Sequence, residues 1–138
     1  MPARTPAIVA LAAIAALEGL GLLGYVIYDV VEAIRIGTSG PEEVSNGPGL
    51  AVMIVILVLF GAGMLWVARG WWLARRWVRS PFIVAQLLTV LVGYDLAQSS
   101  GGPERPIGIA VIVLAAAGIV LAFLPATSLA IDPDRGRA

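Results

Sequence analysis

The chain has 138 residues, of which 59% are hydrophobic and 13% are charged, and nine basic residues balance nine acidic ones. A soluble domain is about 45–50% apolar and about 25% charged, so the composition predicts a membrane protein, with residues 1–138 forming a single membrane domain. The sequence has no Cys, His or Lys, which excludes disulfides, imidazole catalysis, Schiff bases, and metal sites built on thiolate or imidazole ligands. We therefore expect no enzyme activity, no cofactor and no metal site.

Four segments are long and apolar enough to cross a membrane as helices, which takes about 20 mostly apolar residues. The first covers about 7–34 and is the longest, and the second covers about 50–68 without a charged side chain. The third, at about 82–98, is shorter and more polar, and the fourth, at about 107–124, is again uncharged. The sequence thus predicts an all-α polytopic membrane protein with four transmembrane helices in a bundle.

The first segment has a competing interpretation as a cleaved signal peptide, in which Arg4 precedes an apolar stretch from Ala7 to Leu17. Glu18 does not resemble the small residue that a cleavage site needs, and the apolar character continues to Val26 and beyond. We therefore expect this segment to remain as the first span.

The placement of arginine predicts the orientation of the spans. Seven arginines lie before span one, between spans two and three, or after span four, whereas only two lie in the other connections. Cytoplasmic loops carry an excess of basic residues, so both termini are expected in the cytoplasm. Arginine as the sole basic residue, with many Ala, Val and Gly, suggests a bacterial source, and hence a multi-pass protein of the plasma membrane. The seven are Arg4, Arg69, Arg75, Arg76, Arg79, Arg135 and Arg137.

Arginines alternate with tryptophans between spans two and three, in the sequence RGWWLARRWVR at residues 69–79. Because this strip adjoins two spans, we expect its tryptophans at the membrane interface and its arginines against anionic lipid headgroups, not nucleic acid. Docking of a partner protein is the alternative. Ser80 and Pro81 then predict the start of the third helix, as N-cap and first helical residue. The candidate lipid contacts are Arg69, Arg75, Arg76 and Arg79.

The two outer hairpins resemble each other. Tyr-Asp closes spans one and three at 28–29 and 94–95, and a similar Gly-Leu-Ala-Val or Gly-Ile-Ala-Val opens spans two and four at 49–52 and 108–111. One interpretation is a duplication that gives two tandem helix hairpins in parallel repeat, as in some transporters. The other is shared composition, because both outer turns use Gly, Pro and Glu and all spans use Val and Ile.

Glu18 is the only charged residue within 7–26, and ionisable groups inside a bilayer are rare and costly. On a helix, Glu18 and Tyr25 lie on one stripe, and Gln86 and Thr89 share a face of span three at similar depth. We expect these faces to meet inside the bundle, with Tyr25, Gln86 or Thr89 as a hydrogen-bond donor to Glu18. The same stripe of span one includes Gly21, Tyr28, Asp29 and Glu32.

Three interpretations of Glu18 remain open. It is a neutral structural residue that hydrogen-bonds across the bundle, since burial disfavours the charged form. Alternatively, it contacts a polar group of a partner protein. In the third interpretation it carries protons or binds a cation in a transport cycle.

Two stretches resemble known families. AALEGLGL, at residues 15–22, is similar to the first span of the small multidrug resistance transporters, in which a glutamate binds protons and cationic drugs in competition. This resemblance implies the same role for Glu18. RRWVRSPFIVAQLL, from Arg75 to Leu88, resembles small four-span integral membrane proteins of actinobacteria, which share a basic-Trp segment, a Ser/Ala-Pro pair and a Gln-Leu-Leu span. The second resemblance implies a fold but no activity.

We expect the protein to act by interaction, as an accessory or assembly component of a larger membrane system. The expected partners are membrane lipids and either another membrane protein or a second copy of the chain. The alternative is a proton-coupled transporter of small molecules or cations that uses Glu18 as its membrane-embedded glutamate.

Overall fold

A computed structural model describes the chain at residues 4–36, 47–98 and 101–137. These residues form helices and short connections, without a strand. Four of the helices are long and apolar enough to cross a membrane. The predictions of an all-α fold and of four apolar spans are therefore confirmed. The α-helices are α1 (Pro6–Ile36), α2 (Gly47–Trp72), α3 (Arg79–Gln98), α4 (Glu104–Phe123) and α5 (Pro125–Ile131), with 3-10 helices at Arg76–Val78 and Pro133–Arg137.

Most of the helices are longer than the spans that hydropathy delimits. Helix α2, for example, runs from Gly47 to Trp72, whereas the predicted span covers 50–68. The additional residues include charged and aromatic side chains at the helix ends. A transmembrane helix continues beyond the hydrocarbon core into the headgroup region, which is about 5–8 Å thick on each side, so polar helix ends are compatible with a span.

The start of α3 differs from the prediction. The 3-10 helix Arg76–Val78 leads directly into α3, which begins at Arg79. Ser80 is therefore inside the helix and does not occupy the N-cap. Pro81 still lies in the first turn, where its missing amide hydrogen removes no intrahelical bond. The Ser-Pro pair correctly predicted that a helix begins near this point, but α3 begins at Arg79, before the predicted N-cap Ser80.

The chain divides into two compact units. The central unit is Ala15–Trp66, which contains most of α1 and α2. The terminal unit combines Met1–Ile14 with Val67–Ala138, so it contains the first part of α1, the end of α2, and α3 to α5.

Within the central unit, α1 and α2 approach each other closely at two glycines. A Cβ atom on Gly19 would lie 2.9 Å from the carbonyl oxygen of Gly61, and one on Gly61 would lie 2.9 Å from Cγ of Leu23. Real Cβ atoms essentially never lie so close to another atom, so a side chain at Gly19 would push the α2 backbone away and one at Gly61 would displace Leu23. Membrane helices commonly use glycine to bring two backbones together, because lipid offers no hydrophobic force for their association.

Within the terminal unit, α3 packs along α4, again through glycine. A Cβ atom on Gly108 would lie 2.6 Å from the carbonyl oxygen of Gly93. In the proposed repeat, the counterpart of the buried Gly108 is Gly49, which is exposed. The glycines at which the helices meet therefore do not correspond between the two hairpins when the proposed repeats are aligned. The duplication stays a prediction.

The core of the terminal unit at its arginine-rich end is aromatic. Trp71 and Phe82 are fully buried, and their rings meet edge to face with centroids 5.5 Å apart. Edge-to-face contact places the positive rim of one ring against the negative face of the other. The contact joins the end of α2 to the first turn of α3.

Candidate functional site

The structure places the four predicted intramembrane residues in different surroundings. Glu18 is half-buried on α1, and Tyr25, on the same helix, is 53% exposed. Gln86 is fully buried on α3, and Thr89, one turn further, is half-buried. Glu18 and Tyr25 belong to the central unit, whereas Gln86 and Thr89 belong to the terminal unit. The expected hydrogen bond between the two faces stays a prediction.

The surroundings of Gln86 and Thr89 explain how α3 carries two polar side chains. A Cβ atom on Gly118 of α4 would lie 3.4 Å from the amide carbon of Gln86, so Gly118 leaves room for this amide between the helices. The Thr89 hydroxyl donates a hydrogen bond to the carbonyl oxygen of Ala85 at 2.9 Å. This bond to the preceding turn satisfies the hydroxyl within its own helix.

The polar stripe of α1 is open along its middle. Tyr25 and Tyr28 are 53% and 61% exposed. Gly21 and Gly24 are also exposed, and a Cβ atom on either would have no heavy atom within 4 Å. We call these four residues the α1 stripe. It combines two glycines and two phenolic hydroxyls on one exposed face of a helix that is long and apolar enough to cross a membrane.

A sharp turn connects α2 to α3. The amide of Ala74 donates to the carbonyl oxygen of Trp71 at 2.8 Å, and that of Arg75 donates to the carbonyl oxygen of Gly70 at 2.9 Å. These two bonds form a Schellman motif, whose central residue adopts the left-handed conformation. Here that residue is Ala74, with φ of 51°. The turn directs the following arginines towards the C-terminal segment.

Arg79 binds the end of α4. Its Nε and Nη2 donate to the carbonyl oxygen of Ala122 at 3.1 and 2.7 Å, and Nη2 also donates to the Ser128 hydroxyl at 2.7 Å. The guanidinium lies 5.7 Å from the ring centroid of Phe123. Pro125 begins α5 and has no amide hydrogen, so the last carbonyls of α4 need other donors. Arg79 supplies them for Ala122, and the Leu124 amide and the Thr127 hydroxyl supply them for Leu121.

Arg76 binds the end of α5. Its Nη2 forms an ion pair with Oδ1 of Asp132 at 2.6 Å, and its Nε donates to the carbonyl oxygen of Ile131 at 3.3 Å. Arg135 approaches the other carboxylate oxygen of Asp132 at 3.4 Å. Two arginines thus flank one aspartate, whose side chain is only 20% exposed.

Arg4 binds the end of α2. Its Nε donates to the carbonyl oxygen of Trp72 at 3.2 Å, and its guanidinium carbon lies 3.9 Å from the centroid of the Trp72 ring. Together with the pair between Arg76 and Asp132, this contact brings three segments to one end of the terminal unit: residues 4–5, 69–79 and 124–137. We call this the arginine end. These are the segments that the arginine count predicts on the same side of the membrane.

The four predicted lipid-contacting arginines are not equivalent. Arg76 and Arg79 have the intramolecular partners described above. Arg69 and Arg75 are exposed, and their side chains form no hydrogen bond or ion pair with any residue that the structure describes. Contact with anionic lipid stays a prediction for all four, but only the latter two have the whole guanidinium available for it.

The tryptophans also separate into two groups. Trp66, Trp72 and Trp77 are 67%, 44% and 48% exposed, as expected for residues at a membrane interface. Trp71 is fully buried against Phe82, and its indole nitrogen has no hydrogen-bond partner within the described part of the chain. Three tryptophans are therefore exposed, as the predicted position at the membrane interface requires, and the fourth belongs to the core.

Ser128, Asp132 and the carbonyl of Ala122 are partners of the arginines that the sequence did not reveal. Pro125 and Pro133 bracket Ser128 and Asp132, and Pro125 follows Ala122 by three residues. These prolines were the available signal, because proline commonly begins a helix and follows its end. Across residues 4–36, 47–98 and 101–137, no three carboxylate, imidazole or thiol side chains come together as a metal site would require.

Comparison with known proteins gives no relative. No protein-family model matches the sequence, and no match is found among the curated proteins or the solved structures.

Proposed function

We propose that this multi-pass membrane protein acts by binding another membrane protein, as an accessory or assembly component, and that it has no catalytic role. The observation that carries the proposal is the open α1 stripe. Gly21 and Gly24 leave the backbone of α1 accessible, and Tyr25 and Tyr28 present exposed hydroxyl groups beside them, towards the outer boundary of the bilayer.

The chemistry of the α1 stripe favours protein over lipid as its neighbour. Membrane helices approach closely where residues are small, so Gly21 and Gly24 favour a second helix on this face, and the Tyr25 and Tyr28 hydroxyls can bond to it. The half-buried Glu18 lies on the same face, one turn before the stripe. Polar groups inside the bilayer generally face protein or a water-filled space.

The contacts at the arginine end support a structural role for its charges. Arg76, Arg79 and Asp132 bind one another's segments or the backbone. They join helix ends together, and each has its partner within the protein.

Co-purification in mild detergent tests the proposal. We expect the wild-type chain to retain a stoichiometric membrane-protein partner, and Gly21→Leu combined with Gly24→Leu to lose it, because the new side chains would separate the two backbones. Gly63→Leu on α2 is the matched control, since this glycine also has no heavy atom near its Cβ position. Recovery of the wild type only as a monodisperse self-complex would contradict the proposal.

A proton-coupled transporter of small molecules or cations is the second candidate. Glu18 lies about 18 Å beyond Pro6 along α1, at about 1.5 Å per residue, and this distance places the carboxyl near the middle of a bilayer of about 30 Å. Its half-buried position is compatible with access for a proton or a cation. The resemblance to the small multidrug resistance transporters at residues 15–22 supports this candidate.

We further propose that the arginine end faces the cytoplasm, in the plasma membrane of a bacterium. The support is the number of arginines in the three segments that meet there, because basic residues accumulate in cytoplasmic loops. Anionic lipids of that leaflet are then the natural neighbours of Arg69 and Arg75.

A further inference from the structure

A groove of about 470 Å³ opens at the arginine end of the terminal unit. Pockets for small molecules commonly measure about 300–1,000 Å³. The groove lies between the start of α1, the end of α2 and α5, and no acidic residue lines it. Two lining residues are polar and the remainder are apolar. Those that the argument uses are Arg4, Thr5, Ile8, Trp72, Leu129 and Ala130.

Arg4 is held at the groove in a fixed orientation. Stacking on the Trp72 ring and the hydrogen bond from Nε to the Trp72 carbonyl use one edge and one face of the guanidinium. The two terminal amino groups form no hydrogen bond with the described residues. A guanidinium held in this way presents a planar pair of donors, which matches two oxygens of a phosphate.

Thr5 lies beside Arg4, at the start of α1. It occupies the N-cap of α1, because its carbonyl accepts the hydrogen bond of the Val9 amide at 3.2 Å. A threonine hydroxyl at an N-cap usually accepts a bond from one of the next amides. Here its Oγ1 is buried and has no hydrogen-bond partner among the residues that the structure describes. The N-terminus of α1, with its first amides lacking intrahelical partners, therefore adds a partial positive charge to this wall of the groove.

The expected depth of the groove in the membrane indicates whether the hydrogen-bond acceptor is a lipid headgroup or a free phosphate ion. Trp72 lines it, and Trp72 and Trp77 are the exposed aromatic residues at this end, where tryptophan marks the boundary between headgroups and acyl chains. Most of the wall is apolar, including Ile8 and Leu129. A free phosphate would gain nothing from such a wall, whereas the glycerol and first methylenes of a lipid would be covered by it.

We propose that this groove is a binding site for one anionic phospholipid. The phosphate accepts hydrogen bonds from the two terminal amino groups of the Arg4 guanidinium, and the upper acyl chain packs against the exposed Leu129. This site is separate from the diffuse headgroup contact expected of Arg69 and Arg75, and it does not depend on a protein partner at the α1 stripe.

Native mass spectrometry of the purified full-length chain tests the site. Phosphatidylglycerol and phosphatidylcholine are titrated separately into the detergent-solubilised protein. We expect one phosphatidylglycerol to bind tightly and phosphatidylcholine to bind at least about tenfold more weakly. Arg4→Gln should weaken phosphatidylglycerol binding by about tenfold, the loss expected for one charge-assisted hydrogen-bonded pair. Ala130→Leu should weaken it as well, because the larger side chain fills the groove and leaves every charge in place.

Arg69→Gln is the matched control, since it removes the same charge from the same end without touching the groove. It should change the affinity by less than about twofold. An equal loss in Arg69→Gln and Arg4→Gln would overturn the proposal in favour of diffuse electrostatic attraction. Displacement of the lipid by millimolar inorganic phosphate would overturn it in favour of a free-anion site. Unchanged binding in a folded Ala130→Leu variant would exclude the groove itself.

Discussion

Arg79, the first residue of α3, donates two hydrogen bonds to the carbonyl oxygen of Ala122, the penultimate residue of α4. The same guanidinium donates to the Ser128 hydroxyl of α5. One side chain thus connects three helices at a point where Pro125 interrupts the intrahelical bonding of α4. The geometry depends on two donors held in one plane, which arginine has and lysine does not.

Replacement of Arg79 by lysine should lower the free energy of unfolding by about 1–2 kcal/mol, because a lysine amine cannot replace the paired donors to Ala122. The measurement is equilibrium unfolding in detergent micelles. Arg75→Lys is the control, because Arg75 is exposed and has no side-chain partner within the described residues; its change should stay within about 0.5 kcal/mol. Equal effects of the two substitutions would show that the contact with Ala122 contributes nothing.

The turn after α2 yields a prediction with opposite signs at two positions. Ala74→Gly should raise the free energy of unfolding by about 0.5–1 kcal/mol, because glycine adopts the left-handed conformation of Ala74 without steric cost. Gly70→Ala should lower it by about 1–3 kcal/mol, since the new Cβ would overlap the fully buried Val78 side chain. Thermal unfolding of both variants is the measurement. Stabilisation by Gly70→Ala would contradict the described turn.

The hydropathy of the chain was sufficient to predict four spans, and the arginine count grouped the three segments that meet at the arginine end. Mean hydropathy and the number of arginines are properties of single segments of the chain, so they can be read without knowing which residues are in contact. The partners of individual arginines are long-range contacts. Arg79 and Ala122 are 43 positions apart, and nothing in either neighbourhood specifies the other.

Three other features could not be predicted from the sequence, although they involve no long-range pair of residues. Trp71 and Trp72 are adjacent, and only their angular positions around α2 decide that one is buried and the other exposed. A left-handed residue at a helix end is usually glycine, so Ala74 at this position gave no sequence signal for the turn. The exposure of Tyr25 depends on packing that a stripe of polar residues does not determine.

The absence of cysteine from the sequence makes the orientation directly testable. Arg75→Cys and Glu104→Cys place single thiols at exposed positions, one at the arginine end and one at the start of α4. A membrane-impermeant maleimide added to intact cells should label the Glu104→Cys variant, whereas the Arg75→Cys variant should react only after permeabilisation. The reverse pattern would invert the proposed topology.

The role of Glu18 separates the two functional candidates. Glutamine keeps the shape and hydrogen-bonding groups of the side chain but carries no exchangeable acidic proton. If the protein acts by interaction, wild type and Glu18→Gln in liposomes should show equal proton and organic-cation fluxes, at the level of empty vesicles. A flux that is present in the wild type and lost in Glu18→Gln would favour the transporter.

Photocrosslinking from α1 in native membranes tests the central claim most directly. A benzophenone amino acid replaces Tyr25 or Tyr28 on the α1 stripe or, as control, Ile27, which is 65% exposed and lies about 200° around the helix from Tyr25. We predict that both tyrosine positions crosslink to another membrane protein and that Ile27 yields only lipid adducts. Lipid adducts alone at all three positions would contradict the account.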